Sequence, residues 1–245
     1  MRQVPLRAVL AVIMTALGAS FGLASPASAQ NVDDIIARNL AAKGGVALLK
    51  QTMSVRTIAK AVTPNGEVTI TSVSKRPNLM RNEISGAGQS FVIGFDGTTA
   101  WIAPQGMPAK AMPPGPQTEM MKQTSQIDSP LLDYRAKGMK AELAGTESEG
   151  ERKLHHLVLT PQAGPRMHYF IDAATGLESR LLIESNEAGQ PTRMEIRFAD
   201  YRTVDGRTVP FSTTQVVNGN EAGRIKFESV EFNVPLEDSM FRMSK

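Results

Sequence analysis

The chain has 245 residues, with 27 Lys and Arg against 24 Asp and Glu, 13 methionines and no cysteine. The absent thiol excludes disulfides, thiolate metal sites, a cysteine nucleophile and a lipid tether on an N-terminal cysteine. Setting aside Arg2 and Arg7, which belong to a leader, leaves 25 basic residues against 24 acidic ones, a balance that excludes the basic footprint of a nucleic-acid binder.

Residues 1–29 read as a cleavable signal peptide. Arg2 and Arg7 give the positive start, 8–17 the apolar run, and Ala27-Ser28-Ala29 the small-x-small site, with the cut after Ala29. Gly18, Ser20 and Gly22 interrupt the run short of the roughly 20 apolar residues that cross a bilayer. The rest, 30–245, is expected to be one exported domain without a lipid of its own.

Asn31 or Asp33 caps a first helix that carries Val32, Ile35, Ile36 and Leu40 on one stripe. Gly44-Gly45 ends it, and 46–50 adds another turn. Beyond Gln51 the apolar period changes to two. Met53 to Ala61 alternates, Pro64-Asn65-Gly66 turns the chain, and Val68, Ile70 and Ser72 return. Met80, Asn82 and Ile84 follow Pro77; Phe91, Ile93 and Phe95 share one side of a fourth strand; Asp96-Gly97 is a hairpin signal into 98–103. The stretch 104–130 holds too many prolines for a strand. A short helix is expected over 118–127 and a helical turn over 131–134, so 104–134 reads as an insertion covering the sheet, or else as a proline-rich loop without structure.

Alternation resumes at Met139 and continues through Leu154, Tyr169, Leu181, Ile196, Phe211 and Ile225 to Phe232, where Pro235 follows. The whole amounts to about ten or eleven strands, each with one polar and one apolar face. A sandwich fits that pattern, as does a strongly curved antiparallel sheet. The mid-chain insertion, whose apolar side needs cover, favours the second: an α+β fold in which a strongly curved antiparallel sheet closes over helical segments on its concave side.

Catalytic patterns are sparse. Gly18-Ala19-Ser20-Phe21-Gly22 has the form of a nucleophile elbow but lies in the leader. His155 and His156, adjacent on a strand, point to opposite faces, which does not suit a shared metal; one is expected solvated and the other packed. Asp96, Asp172 and Asp205 sit in turns, where Asp has a backbone role. No catalytic residue, metal or cofactor is expected. The inward apolar residues of a curved sheet are core or cavity wall, and alternation does not separate the two.

The segments Ala42-Lys43-Gly44-Gly45, Phe95-Asp96-Gly97 with Trp101, Leu131-Leu132-Asp133-Tyr134 before Gly138, 169–182, Phe198-Ala199-Asp200-Tyr201 and 205–211, in this order, resemble the LolA/LolB-like superfamily of periplasmic lipoprotein carriers. The resemblance implies an incomplete β-barrel with an N-terminal helix and a helical lid over its concave face, and a periplasmic, non-enzymatic carrier whose hydrophobic cavity takes acyl chains of lipoproteins or other lipids. It implies membrane-bound donor and acceptor proteins as partners, with only transient membrane proximity. The residues expected to bind ligand are then Met80, Phe91, Ile93, Phe95, Trp101, Met112, Met120, Met121, Leu131, Leu132, Met194, Ile196, Phe198 and Phe211. Among these, Trp101 is a wall or a rim residue. Arg56, with Arg81 next, is the candidate for holding the lid closed. The alternative reading is an envelope sensor of the same fold acting through a protein partner; a hydrolase with an unrecognised site is a distant third.

Overall fold

A computed structural model describes residues 31–243, apart from 87, 188 and 189. The leader and its cleavage site at Ala29 lie outside the described residues. Helix α1 (Val32–Ala42) begins where the Asn31 side chain accepts from the Asp33 amide at 3.2 Å, with Asp33 and Asp34 in the first turn suiting the helix dipole. It ends at Gly44, whose φ is +117° and whose missing Cβ would otherwise sit 2.6 Å from the Gly206 carbonyl. Helix α2 (Val46–Lys50) follows directly.

The strands are β1 (Ser54–Thr63), β2 (Gly66–Lys75), β3 (Leu79–Gly86), β4 (Gln89–Asp96), β5 (Ala100–Pro104) and β6 (Lys110–Ala111); then helix α3 (Pro116–Thr124); then β7 (Lys140–Glu149), β8 (Arg152–Thr160), β9 (Arg166–Asp172), β10 (Glu178–Glu187), β11 (Gln190–Val204), β12 (Arg207–Val217) and β13 (Asn220–Phe232). They form one antiparallel sheet of 13 strands, more than alternation alone suggests; β6, for one, is two residues set among prolines, too short to show a period. Every neighbour is sequential except one pair: β13 returns beside β1, which leaves β6 and β7 as the two free edges of an incomplete barrel. From Asn31 onward the chain is one compact unit.

Paired residues share a face, so register fixes which side chains point inward. Phe91, Ile84, Ile70, Ala59 and Phe227 lie in one row across β4, β3, β2, β1 and β13. Ala61, Ile225, Thr213 and Phe198 continue the face, and Ile196, Leu181, Tyr169 and Leu157 carry it to β8. Both long helices pack on this face. Helix α1 sets Ile35, Ile36 and Leu40 against Leu157, Leu159, Tyr169 and Ile171. Helix α3 sets Met121 against Met80, Phe95 and Ala100.

The outer face has its own packing. Trp101 pairs with Gly94, on the side opposite Ile93 and Phe95, and donates its indole N–H to the Phe241 carbonyl at 2.8 Å. A Cβ on Gly94 would lie 2.3 Å from the Trp101 ring, so no larger residue fits beneath it. The C-terminal 3-10 turn (Asp238–Phe241) covers the indole, and Lys75 secures it through Asp238 and the Leu236 carbonyl, both at 2.6 Å.

Farther along this face His156 stacks on Phe170 at 4.4 Å between ring centres, and its Nε2 lies 2.9 Å from Nδ1 of His168. His155 points the other way, yet it is not the solvated residue of the pair: both are half-buried, and neither nitrogen of His155 has a hydrogen-bond partner among the described residues. Burial pushes both imidazoles below their ordinary value, with the Arg38 charge adding for His155 and His168 adding for His156. The unfolded chain therefore takes up protons first as the pH drops below about 6.5. Stability is expected to be full above that value and to fall on acidification toward about pH 5, before carboxylates contribute. Calorimetry across this window should show a falling Tm, with a shallower slope in His156→Phe; a flat wild-type profile would contradict the assignment.

Candidate functional site

The inner face divides into three parts according to what covers it. Over β7–β10 it is filled. Leu131 and Leu132, 1% and 2% exposed, join Tyr134, the α1 stripe and the β8 and β9 residues in the main core. Expected as lid contacts to ligand, these two leucines are core residues.

Over β3–β5 the face is roofed by α3. Met80, Phe95, Ala100 and Met121 form a small cluster, with Ile93 and Met112 packed partly against it. Met120, one residue along the helix, is 53% exposed and does not join them.

Between these two regions, across β2, β1, β13, β12 and β11, lies an uncovered apolar strip. Ile70, Ile84, Phe91 and Phe227 line one part of it, and Phe198, Ile196, Met194 and Ile183 the other. All are half-buried, and none belongs to the three core clusters. From position 55 to 61 on β1, 68 to 74 on β2, 80 to 84 on β3, 91 to 95 on β4, 194 to 198 on β11 and 225 to 232 on β13, no inward side chain is charged. Four of the expected ligand residues (Phe91, Met194, Ile196 and Phe198) therefore share this strip, and Met80, Phe95, Ile93, Met112 and Met121 lie beside it under α3. Phe211 is buried, with the Arg202 guanidinium 4.4 Å from its ring centre. Trp101 is on the outer face and takes no part.

The insertion is anchored unevenly. Arg76, at the end of β2, donates from Nη1 and Nη2 to the two carboxylate oxygens of Asp128, both at 2.6 Å, and from Nε to the Thr52 carbonyl at 2.7 Å. The carboxylate raises the Arg76 pKa still further, so the guanidinium is charged at any working pH. Lys50 reaches Asp133 at 2.6 Å, and the Tyr134 hydroxyl and Arg135 reach Asp33 at 2.8 and 2.7 Å, holding that carboxyl below its usual range. Residues 125–135 are thus held at four points, whereas α3 rests on the buried Met121.

Arg56 and Arg81 do not hold the insertion. Arg56, Val73, Arg81, Gly94 and Trp101 lie in one register row on the outer face. Arg81 pairs there with Glu83, and its guanidinium sits 5.9 Å from the Trp101 ring centre. Position along a strand pointed to Arg56, but the residue that reaches the insertion lies in the turn before Pro77, where only the folded chain brings Asp128 near.

Two open surface depressions, of about 530 and 680 Å³, lie among charged residues such as Arg193, Glu195 and Arg197, or Lys60, Glu67 and Arg224, the second also bordered by Phe227. Neither contains an expected ligand residue. Among the described residues no group of three or more His, Cys, Asp or Glu side chains is placed to hold a metal ion, and no helix is long and apolar enough to cross a membrane.

No protein-family model and no curated protein matches the sequence. Solved structures do match the fold. A LolA superfamily protein from Nitrosomonas europaea superposes with a TM-score of 0.59 at 11% identity, over 86% of this chain and 97% of the other. The fold is LolA-like. A domain described as an outer membrane lipoprotein-sorting protein from Vibrio parahaemolyticus gives 0.56 at 12% identity, and a DUF1329 family protein from Desulfovibrio piger 0.60 at 12%, each over 86% of this chain and 97% of the other. At such identities the likeness is one of architecture: the LolA-like half-barrel here is closed at one end by α1 and the 131–134 turn and roofed at the other by α3.

Proposed function

We propose that this protein is a non-enzymatic carrier of lipid or lipoprotein acyl chains, exported by its leader to the periplasm and bound to no membrane by a lipid of its own. The observation that supports this most is the uncharged, half-buried apolar strip between two filled parts of the inner face. Phe91, Ile196 and Phe198 are only partly buried and belong to no core cluster, and an acyl chain laid on them gains roughly 0.8 kcal/mol for each methylene removed from water. Helix α3, held chiefly by Met121, is the movable part of the roof, and the flexible methionines Met80, Met112 and Met121 can repack around chains of different length. The outer-membrane lipoprotein-sorting description of the Vibrio parahaemolyticus domain agrees with such cargo. Membrane-bound donor and acceptor proteins would load and unload it.

Native mass spectrometry of detergent-free protein is expected to show co-purifying lipid, and an uncharged fluorescent acyl probe to bind. Phe198→Asp places a charge in the strip and is expected to weaken the probe at least tenfold in a protein that still folds, because Phe198 packs in none of the core clusters. Protein that is repeatedly lipid-free and does not bind the probe would dismiss the carrier reading.

A further inference from the structure

We infer that Thr57, Ser72 and Asn82 form a polar subsite in the inner face, which receives the uncharged ester or amide group joining the acyl chains of a ligand to its remainder. The inference rests on the carrier reading and specifies the chemistry of its cargo.

The three residues are direct cross-strand neighbours, Thr57 on β1 opposite Ser72 on β2, and Ser72 opposite Asn82 on β3. At the usual strand spacing they span about 10 Å. They interrupt the apolar surface. On one side runs the row of Ala59, Ile70, Ile84 and Phe91; on the other, the next row holds Val55, the small polar Ser74, and then Met80 and Phe95, the last two packed against Met121 of α3. The polar row therefore marks the border between the open strip and the roofed cluster.

All three side chains are half-buried, and the hydroxyls of Thr57 and Ser72 make no hydrogen bond to another described residue. The Asn82 amide has only the Met80 sulfur, at 3.7 Å, a weak acceptor. A plain hydrocarbon laid over this row would strip water from three polar groups and return nothing, which is costly. A carbonyl placed there would accept from a hydroxyl of the row and from the Asn82 Nδ2, and a neighbouring hydroxyl of the ligand could in addition donate to the Asn82 Oδ1. The group must be uncharged, because no inward Lys or Arg on these strands could balance a phosphate or a free carboxylate. An acylglycerol or an acyl amide meets both conditions.

The test compares competitors of equal chain length against an uncharged fluorescent acyl probe: monopalmitoylglycerol, hexadecane and palmitate. Wild-type protein is expected to prefer monopalmitoylglycerol over hexadecane at least tenfold and to bind palmitate more weakly than the ester. The variant Thr57→Val/Ser72→Ala/Asn82→Leu should lose the preference while binding hexadecane as well as before. The near-isosteric Thr57→Val alone should reduce it about threefold, and it guards against misfolding of the triple variant. An unchanged preference in both variants overturns the subsite and leaves the carrier reading standing. Palmitate binding more tightly than the ester overturns the uncharged assignment. Failure of all three competitors with the wild-type protein overturns the carrier reading and the subsite together.

Discussion

Leu131→Ala is expected to lower the free energy of unfolding by about 2–5 kcal/mol, read as a fall in the urea midpoint at unchanged slope. The side chain is 1% exposed and sits among Leu132, Tyr134, Leu157, Leu159 and the α1 residues Ile35, Ile36 and Leu40. Those neighbours come from helix α1, the 131–134 turn and strand β8, which cannot collapse together to fill the space of three lost carbons. The loss therefore includes a cavity as well as the transfer of the leucine atoms. Phe198→Ala, at a half-buried position outside every core cluster, removes a larger side chain and should still cost less than Leu131→Ala. It should instead weaken acyl binding. The two variants separate core from strip in opposite directions. A Leu131→Ala protein as stable as the wild type would mean that the 131–134 turn is not packed as described.

The contrast shows what the chain makes legible and what it hides. Alternation located nearly every strand, because each has one wet and one dry side, and Asp96-Gly97 and Asp205-Gly206 marked their hairpins. The incomplete barrel followed from the residues that resemble the LolA/LolB-like superfamily, and solved structures agree with it. Alternation does not say what lies on the dry side. Leu131, in the proline-rich insertion, and Phe198, on an alternating strand, are both expected to touch ligand, and they differ because α1, remote in the chain, packs on one and not the other. Trp101 misled for a related reason. In 100–104 every residue is apolar or small, so period two gives no direction, and the cover on the indole comes from Phe241 at the far end of the chain. A hint was present in Gly94, which a strand interior rarely carries without a close neighbour. The arginine on the insertion was hidden similarly. Arg76 and Asp128 are 52 positions apart, and nothing local joins them.

That pair carries the second large effect. Arg76→Ala is expected to cost about 1.5–3 kcal/mol, the range for hydrogen bonds to charged groups, because it leaves the Asp128 carboxylate three-quarters buried without its partner. The cost should fall on the insertion more than on the barrel. Among the described side chains of α3 only Met121 is buried, while 131–135 keeps its contacts to Asp33, Lys50 and the main core. Breaking the Arg76 fork removes the barrier between these halves, so 116–130 can swing as a unit about the Leu131 anchor. At about 1.4 kcal/mol per tenfold, the open population should rise between roughly ten- and a hundredfold. Amide exchange should accelerate by that factor in 116–130 and remain unchanged in α1, and bound acyl probe should leave faster. Asp128→Ala should behave in the same way, and the double variant should be no worse than either single change, since the fork is one interaction. Uniform acceleration across the whole domain would show that the fork stabilises the barrel and not the roof. Strictly additive losses would show that Arg76 and Asp128 act through different partners. If exchange in 116–130 rises while probe release does not, α3 is not the ligand's gate.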